Sequence, residues 1–555
     1  MNKKVCSFPI LFALLALLIG TCAVVFPASA QAAPTSTGSI TVSGTVASSY
    51  DAYQIFSANV VDGDSDAKTF TDLVWASDAV RDAALPVLHS AGMPNSQTTA
   101  QKAAEWLNTD PHLTGALSAQ LARSLQSSGA VSVALNAGTA AKLPSGYWLI
   151  VADDDAIAQG EVGTAPIMAL VGGGAVTVKP KAATPKVSKH VLEDSTAAWQ
   201  KAADATVADD LYWRLSATVP AGLTAYDTYA VRFVDTMGAG LDPSKVAASM
   251  RVYVAAGADG GFDAVSADKD GRVGTEPAKG WTDITAQCAT KIAADGTFTV
   301  RTGDLIAALG GADAFTAGAR VVAVYNAPLN SACNHGIAKG NPNEAYLCYP
   351  RSPFADQSGD AGFTRTPSDD ACAYTWDLAL TKRSSDGDKP LAGAVLSIAD
   401  DRGRTLAADG TWDAEGKATV TTGEDGRVTV SGVDSGKLEV CELKAPKGYT
   451  AFEGTRCVTV KAESLDVDQV AAAKPKLTIT AESPLRADSA DGSTGSLEAS
   501  LINTPTGTPP SITTGGFMPS TGDMAMYAAA AAAVAGAALI VVALLVKRGG
   551  GSHKE

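Results

Sequence analysis

The chain contains 555 residues and carries a formal net charge of −15. Aromatic residues make up only 6% of it. A protein that binds nucleic acid needs a basic surface to neutralise phosphates, so this acidic composition argues against a nucleic-acid partner.

Residues 1–30 have the features of a cleaved secretory signal. Lys3 and Lys4 give a basic start, residues 8–26 are apolar, and Ala28-Ser29-Ala30 supplies the small residues of a cleavage site. The remaining chain is long enough for about three domains. We therefore expect an exported protein built from several domains.

The cysteine content fits an exported protein. Six of the eight cysteines lie beyond the predicted signal: Cys288, Cys333, Cys348, Cys372, Cys441 and Cys457. An even number in a secreted chain predicts three disulfides, and six cysteines allow fifteen connectivities. We favour a Cys441–Cys457 pair, because these two residues flank a short predicted hairpin.

The sequence gives little support for a metal site. Cys333-Asn334-His335 has no second ligand cluster at the spacing of a zinc finger. Asp62-Gly63-Asp64-Ser65-Asp66 and Asp268-Lys269-Asp270-Gly271 superficially suggest calcium, but neither supplies the terminal glutamate of a calcium loop. We predict turns at both places, no metal and no cofactor.

The first domain, residues 31–181, is predicted to be β-rich with a helical insertion. Residues 39–46 alternate between apolar and polar, as in a half-buried strand, and residues 146–151 return to a strand-like pattern. Between these strands, apolar residues recur at helical spacing in three segments: 79–89, 98–107 and 113–125.

Two further β-domains are predicted at residues 182–371 and 372–505. The middle one has strand-like segments throughout and is typical of a sandwich with long loops. In the third domain Lys382 lies in phase with Leu378 and Leu380, on the apolar face of a strand. A lysine there is costly unless it is neutral or bonded.

The C-terminus predicts a membrane anchor. A Pro/Gly/Thr-rich spacer, residues 506–517, leads to Met518-Pro519-Ser520-Thr521-Gly522 and then to an apolar run at residues 524–546. That run is long enough to cross a hydrocarbon core of about 30 Å as a transmembrane helix. Lys547-Arg548 directly after it favours a cytoplasmic tail, with the rest of the chain outside.

Residues 518–555 resemble the cell-wall sorting signal of Gram-positive surface proteins, in the order short motif, apolar span and basic tail. In that family the membrane transpeptidase sortase cuts between the residues that match Thr521 and Gly522. It then passes the threonine carbonyl to an amine. Met518 stands where the family usually has leucine, and its apolar side chain has a similar volume.

The end of the first domain resembles the pilin motif of sortase-assembled pili. In that motif a strand ends in Tyr-Pro-Lys, and the lysine receives the threonine carbonyl of the next subunit. The match here covers Val176, Val178, Pro180 and Lys181, with Lys179 in place of the tyrosine. The resemblance implies that Lys181 is the acceptor lysine.

The middle domain resembles the immunoglobulin-like middle domain of Gram-positive pilins, which contains a Lys–Asn isopeptide bond. Lys189 matches the lysine of the first strand and Asp235 matches the catalytic acid. We assign Asn343 as the amide partner, because the last strand is expected to lie beside the first and to point Asn343 inward. Asn341 and Asn326 are alternatives.

The third domain resembles the B-type repeat of collagen adhesins and pilins. Residues 442–449 look like the pilin E-box, and the final strand ends on the asparagine of the family. The resemblance implies an isopeptide bond between Lys382 and Asn503 with Glu442 as catalytic acid. Burial lowers the pKa of a lysine, and a protonated Glu442 could hydrogen-bond the Asn503 carbonyl and pass a proton to the departing ammonia.

These features predict a mainly β chain: tandem immunoglobulin-like sandwiches of the collagen-adhesin A and B types, with a C-terminal transmembrane helix. The predicted function is a structural subunit, the shaft, of a sortase-assembled pilus at the cell wall. Its expected partners are sortase, further copies of itself, peptidoglycan, tip or base pilins and host surface ligands. The alternative is a monomeric wall-anchored adhesin.

An enzyme acting on external substrates is not expected. The chain has five histidines and contains neither a Gly-x-Ser-x-Gly elbow nor a His-Glu-x-x-His helix. Isopeptide formation within the chain would be a single-turnover reaction.

Overall fold

The computed structural model describes residues 36–62, 68–109, 112–180, 184–221, 223–257, 261–268 and 271–507. Strands dominate these residues, and they form tandem sandwiches, so the predicted mainly β fold class is confirmed. No helix in the described part of the chain is both long and apolar enough to cross a membrane. The predicted signal, the acceptor Lys181, the sorting motif and the span at 524–546 lie outside the described residues.

The first domain combines two sheets with a helical insertion. Its elements are β1 (Thr37–Val42), β2 (Ser49–Asp62), β3 (Lys68–Trp75), α1 (Asp78–Ser90), α2 (Ala100–Leu107), α3 (Gly115–Ser127), β4 (Ser132–Asn136), β5 (Ala141–Pro144), β6 (Gly146–Ala152), β7 (Ile167–Val171) and β8 (Ala175–Val178). One sheet has the order β5-β1-β8, and the other has the order β3-β2-β6-β7 with β4 also on β2. The predicted helical insertion is therefore present.

Each long helix begins at a side-chain cap. Ser77, Thr99 and Thr114 precede α1, α2 and α3, and the hydroxyl oxygen of each accepts a hydrogen bond from a backbone N–H of the first turn. Apolar residues of the helices, such as Leu121, pack with Ile55 of β2 in one core. The helices thus cover one face of the larger sheet.

The middle domain is a sandwich of two sheets. Its elements are β9 (Val187–Glu193), β10 (Ala198–Gln200), β11 (Ala202–Asp204), β12 (Tyr212–Thr218), β13 (Arg232–Met237), α4 (Val246–Ser249), β14 (Arg251–Ala255), β15 (Thr282–Asp283), β16 (Ala289–Ile292), β17 (Thr297–Arg301), α5 (Leu305–Ala308), β18 (Arg320–Asn326), β19 (Asn341–Pro350), β20 (Phe363–Arg365) and β21 (Asp369–Tyr374). The sheet orders are β10-β9-β12-β18-β14-β15 and β11-β21-β19-β13-β17-β16, with β20 on β19. Trp213, Phe233 and Tyr325 fill the core between them.

The third domain is a second sandwich. Its strands are β22 (Trp376–Ser384), β23 (Val395–Ala399), β24 (Thr405–Leu406), β25 (Trp412–Asp413), β26 (Val420–Thr421), β27 (Arg427–Val433), β28 (Gly436–Lys444), β29 (Tyr449–Thr450), β30 (Thr455–Glu463), β31 (Lys476–Ala481), β32 (Leu485–Asp491) and β33 (Ser496–Pro505). One sheet runs β27-β22-β33-β29 with β32 on β33, and the other runs β25-β24-β23-β28-β30-β31 with β26 on β23. The first strand β22 and the last strand β33 are parallel neighbours.

Short 3₁₀ turns connect several of these elements: Asp154–Ala156, Leu223–Ala225, Pro243–Lys245, Thr285–Gln287, Ala312–Ala314 and Val470–Ala472.

The six cysteines are free thiols in the structure, so the predicted disulfides are not formed in it. Cys441 lies opposite Thr455, and Cys457 lies opposite Glu439, so the favoured pair is diagonal rather than directly opposed. Diagonal positions are about 7–8 Å apart, beyond the usual span of about 5.5–6 Å for a disulfide.

The other four cysteines also lack a partner for a disulfide. Cys348 lies opposite Arg365 on β20, whereas Cys372 lies opposite Pro342, six residues along β19. Cys288 Sγ donates to Ile284 O at 3.3 Å, and Cys333 Sγ lies 3.6 Å from His335 Nε2. An even cysteine count therefore did not predict their pairing in space.

The junction between the middle and third domains is built around Asp204 at the end of β11. Its Oδ2 accepts hydrogen bonds from Trp376 Nε1 at 2.6 Å and from the backbone N and the hydroxyl of Ser435 at 2.9 and 2.6 Å. Val207 N donates to Gly432 O at 2.9 Å nearby. Direct bonds of this kind tie the two sandwiches together.

A group of carboxyls at this junction holds protons that exposed carboxyls would lose. Burial, and then the charges of nearby carboxyls such as Asp204, raise the pKa of Asp434 well above its usual value. Burial, followed by the Asp204 charge, raises the pKa of Glu193 to about 8 and that of Asp194 to about 6. Arg402 lies 3.6 Å from Asp194 and lowers its pKa in part.

We expect these carboxyls to make stability fall as the pH rises from about 4, the pKa of unfolded carboxyls, to about 8, the raised pKa of Glu193. In that range the folded chain retains protons that the unfolded chain has lost, and each retained proton gives a slope of about 1.4 kcal/mol per pH unit. Asp434→Asn keeps a side chain of the same size without titrating, so it should flatten the fall. The measurement is the thermal unfolding midpoint of the purified ectodomain across this pH range.

The matched control is Asp468→Asn, at an exposed aspartate of the same domain. It should keep the wild-type slope. An Asp434→Asn protein with the wild-type slope would contradict a proton retained on Asp434.

Candidate functional site

The third domain contains a buried cluster of one amine, one amide and one carboxylate. Lys382 Nζ contacts Asn503 Oδ1 and lies 3.2 Å from Glu442 Oε1. Asn503 Nδ2 donates to Glu442 Oε1 at 2.9 Å and to Oε2 at 3.0 Å. The structure therefore brings together the three residues that the sequence predicted for this domain.

Two strands of one sheet and one strand of the other supply these residues. β22 and β33 run parallel, with Lys382 opposite Leu501 and Ser384 opposite Asn503, so the lysine and the asparagine point to the same face. β28 of the facing sheet carries Glu442 into the space between the sheets. The predicted inward phase of Lys382 is confirmed, because the residue is fully buried.

The burial of Lys382 changes its protonation. Removal from water lowers its pKa from 10.5 to about 8, and the charge of Glu442 opposes part of this fall. Glu442 Oε2 also accepts a hydrogen bond from Phe452 N at 3.1 Å, which fixes the carboxylate. The prediction had Glu442 donate to the amide oxygen, but in the structure both carboxylate oxygens accept from the amide nitrogen.

The middle domain contains a similar cluster with one additional member. Lys189 Nζ contacts Asp235 Oδ2 and donates to Tyr325 Oη at 2.7 Å. Tyr325 Oη donates to Asp235 Oδ2 at 2.8 Å, and Asn343 Nδ2 donates to Tyr325 Oη at 2.9 Å. All four residues are fully buried.

Burial in the middle cluster favours the neutral forms of Lys189 and Asp235. Burial lowers the pKa of Lys189 and raises that of Asp235, in each case against the pull of the opposite charge. Asp235 Oδ1 and Asn343 Oδ1 are buried without a hydrogen-bond partner. Each of the two side chains thus has one oxygen that remains unpaired in the cluster.

The position of Lys189 differs from the expectation that the first and last strands lie side by side. β9 pairs with β10 and β12, whereas β19 lies in the facing sheet. Lys189 therefore approaches Asn343 across the sandwich. The predicted inward alternation of β19 is confirmed, since Asn343, Ala345 and Leu347 are buried.

The two alternative asparagines are bonded elsewhere. Asn341 Oδ1 accepts from Asn334 N at 2.8 Å, and its Nδ2 donates to Asn334 O at 2.9 Å. Asn326 Oδ1 accepts from Leu211 N at 3.0 Å, and its Nδ2 donates to Asp210 Oδ1 at 2.7 Å. Asn343 is the one of the three whose amide reaches the Lys189 cluster.

Tyr325 is the member of this cluster that the sequence did not indicate. It belongs to β18, a strand buried along its whole length. Its ring packs edge-on against Phe298, with centroids 4.8 Å apart. In the sequence of a buried strand, a tyrosine cannot be distinguished from any other large core residue. Only the packing of the two sheets shows that its hydroxyl lies between a lysine and an asparagine.

We expect Lys382 to titrate near pH 8 when its amide partner is removed. Asn503→Leu keeps a side chain of similar size but removes the amide, so the lysine stays a free amine in a buried site. Carbon-13 NMR of labelled lysines would measure the titration of the Cε signal, with the exposed Lys417 as reference. A Lys382 signal that titrates at the ordinary lysine value of about 10.4 would contradict the burial effect.

Comparison with known proteins gives one family match and one curated relative. Residues 377–474 match the SpaA family of prealbumin-like fold domains. The trypsin-resistant surface T6 protein of Streptococcus pyogenes serotype M6 is 31% identical over 143 residues, which is 24% of this chain and 24% of that protein. The match therefore spans about a quarter of the length of this curated relative.

Two solved structures are also similar. The T6 backbone pilin of serotype M6 Streptococcus pyogenes aligns with a TM-score of 0.44 and 17% identity, over 86% of this chain and all of that one. The major pilin SpaD of Corynebacterium diphtheriae aligns with a TM-score of 0.40 and 15% identity, over 85% and 97%. The chain is therefore similar to SpaA prealbumin-like fold domains at residues 377–474, and to a streptococcal surface protein over about a quarter of its length.

Proposed function

We propose that the chain is the shaft subunit of a sortase-assembled pilus on a Gram-positive cell surface, and that its middle and third domains each carry an internal isopeptide bond. The observation that supports this most strongly is the buried contact of Lys382, Asn503 and Glu442, which joins the first and last strands of a domain related to pilins.

The proposed reaction in the third domain needs no group from outside the cluster. The neutral Lys382 Nζ attacks Asn503 Cγ, a bond forms between these atoms, and the Cγ–Nδ2 bond breaks. Glu442 Oε1 lies 3.2 Å from the amine and 2.9 Å from the amide nitrogen. It can take a proton from the first and deliver one to the second, so ammonia leaves and the carboxylate is restored.

The pKa of Lys382 makes this attack feasible near neutral pH. With a pKa of about 8, about one amine in ten is neutral at pH 7, whereas at the ordinary value of 10.5 the fraction would be about one in three thousand. Burial therefore raises the supply of the nucleophile about 300-fold, before any effect of orientation.

The same product is proposed for the middle domain, between Lys189 and Asn343. Both crosslinks would lie near the points where tension enters and leaves their domains. In the third domain the load would pass along β22 to Lys382, cross to Asn503 and leave at the end of β33. The residues between them would bear no load, which is a useful property in a fibre under tension.

Polymerisation is proposed to join Thr521 of one subunit to Lys181 of the next. Support for this comes from the strand that precedes Lys181: β8 ends at Val178 beside β1, and Ser43 N donates to Val178 O at 2.8 Å. Repetition of such a head-to-tail contact does not close and gives a fibre.

The second candidate is a monomeric adhesin anchored to the wall through the same C-terminal signal. An adhesin of this kind would have the same surface localisation and the same internal crosslinks. The two functions differ in whether Lys181 is used.

We expect the purified ectodomain to weigh less than its sequence by two molecules of ammonia. Glu442→Ala should restore one of them and Asp235→Ala the other, because each removes the proton carrier of one cluster. Intact mass spectrometry measures this, and digestion should give the two branched peptides that contain Lys382–Asn503 and Lys189–Asn343.

Glu439→Ala is the matched control for the third domain. Glu439 lies on the same strand as Glu442 but is exposed, so its removal should leave both losses in place. A wild-type mass equal to that of the sequence would refute both bonds.

We expect cell-wall extracts of the source bacterium to show a ladder of high-mass forms on immunoblots. Lys181→Ala should collapse the ladder to the monomer, because it removes the amine that receives the Thr521 carbonyl. Lys186→Ala, at a nearby exposed lysine, should leave the ladder unchanged. A single monomer band from wild-type cells would favour the adhesin instead.

A further inference from the structure

The hydroxyl of Tyr325 occupies the centre of the middle-domain cluster. Its oxygen lies 2.7 Å from Lys189 Nζ, 2.9 Å from Asn343 Nδ2 and 2.8 Å from Asp235 Oδ2. It is thus in contact with the amine that must lose a proton and with the nitrogen that must gain one. It also contacts the acid.

The cluster of the third domain can be compared directly with this one, because one atom there also contacts both the amine and the amide nitrogen. There Glu442 Oε1 lies 3.2 Å from the amine of Lys382 and 2.9 Å from the amide nitrogen of Asn503. In the middle domain no direct hydrogen bond between Asp235 and Asn343 Nδ2 is present among the described contacts, and the bridging atom is Tyr325 Oη. The phenol therefore occupies the place that a carboxylate oxygen occupies in the other cluster.

We propose that Tyr325 is a catalytic residue of isopeptide formation in the middle domain, and that its hydroxyl relays a proton from Lys189 Nζ to the departing Asn343 Nδ2. This rests on the proposed crosslink. In the third domain Glu442 is proposed to act alone on the lysine and the amide. In the middle domain two residues would share this role: Tyr325 at the leaving nitrogen, and Asp235.

The proposed step balances within four side chains. Neutral Lys189 Nζ bonds to Asn343 Cγ and gives a proton to Tyr325 Oη. Before the reaction the hydroxyl donates to Asp235 Oδ2 and accepts from Asn343 Nδ2. Once the amine has added to Cγ, Nδ2 is no longer an amide nitrogen and can accept a proton, so the hydroxyl proton turns from Asp235 to Nδ2, the Cγ–Nδ2 bond breaks, and ammonia departs. Tyr325 is again a neutral phenol, and Asp235 ends in the protonation state in which it began.

The cluster is closed to solvent, so a side chain rather than a water molecule would have to relay the proton. Lys189 Nζ lies 5.4 Å from the ring centre of Trp213 and 5.3 Å from that of Tyr325, and every member of the cluster is fully buried. Bulk water has no access to a site enclosed in this way. A hydroxyl can donate and accept at once, so it can relay a proton without becoming charged.

The geometry also fixes the phenol in place. The ring of Tyr325 packs edge-on against Phe298 at 4.8 Å, and β18 is paired on both sides, with β12 and with β14. Because the ring is held by packing, Tyr325→Phe removes the hydroxyl without opening a large cavity. The variant therefore separates the relay from the support of the core.

The experiment is a time course of ammonia loss in newly synthesised ectodomain, followed by intact mass and by the two branched peptides at pH values from 6 to 9. In Tyr325→Phe we expect the Lys189–Asn343 peptide to form at least ten-fold more slowly than in the wild type at each pH. The Lys382–Asn503 peptide should form at the wild-type rate, which shows in the same molecule that the chain has folded.

Tyr253→Phe is the matched control. Tyr253 is a fully buried tyrosine of the adjacent strand β14, and its hydroxyl donates to Thr275 O at 3.0 Å, outside the cluster. Its removal should leave both rates unchanged. If Tyr253→Phe slowed the middle crosslink as much as Tyr325→Phe, the effect would come from the loss of a buried hydroxyl in this sandwich, and the relay would be overturned.

The remaining outcomes separate the relay from the proposed function. If Tyr325→Phe forms the Lys189–Asn343 bond at the wild-type rate, the relay is wrong and the crosslink stands. If the wild type loses only the ammonia of the third domain, the middle crosslink itself is wrong, and the role of Tyr325 falls with it. A pH profile shared by Tyr325→Phe and wild type, with a uniform small loss of rate, would assign Tyr325 a positioning role instead.

Discussion

The cost of burying a lysine amine is the constraint on which the two sandwiches depend. Lys189 and Lys382 are both fully buried. A buried charge that loses its partner destabilises a protein by about 3–5 kcal/mol, so each amine must be neutral, paired or covalently bonded. The surrounding residues provide all three possibilities: low-dielectric packing, a carboxyl in contact and an amide within reach. The same features that make the lysine costly as a free ion make it reactive as an amine.

The two clusters reach this arrangement by different routes. In the third domain the lysine and the asparagine lie on parallel neighbouring strands, and the acid comes from the facing sheet. In the middle domain the lysine comes from one sheet, while the acid and the asparagine come from the other. The chemistry therefore depends on the space between the sheets more than on which strands are adjacent, and this allows a phenol to enter one cluster and not the other.

The junction between these domains also depends on polar side chains that are buried and bonded to one another. Asp204 ties β11 to Trp376 and Ser435 of the third domain, and Arg404 pairs with Asp209 across the same boundary. These bonds replace a flexible linker with a short connection between Tyr374 and Trp376. Tension on the proposed fibre would thus pass between the two sandwiches through a short joint that direct hydrogen bonds and ion pairs hold in place.

The sequence by itself determined the mainly β class, the helical insertion and the identities of Lys382, Glu442 and Asn503, because strand alternation and family motifs act over a few residues. It also pointed to Lys189, Asp235 and Asn343, although it expected the strands of Lys189 and Asn343 to be neighbours. Only the tertiary structure decided that these strands face each other, that Tyr325 bridges them and that the cysteines do not pair. All three features depend on how two sheets stack and on the register of strands that are distant in the sequence. A local pattern of residues does not specify either the stacking or the register.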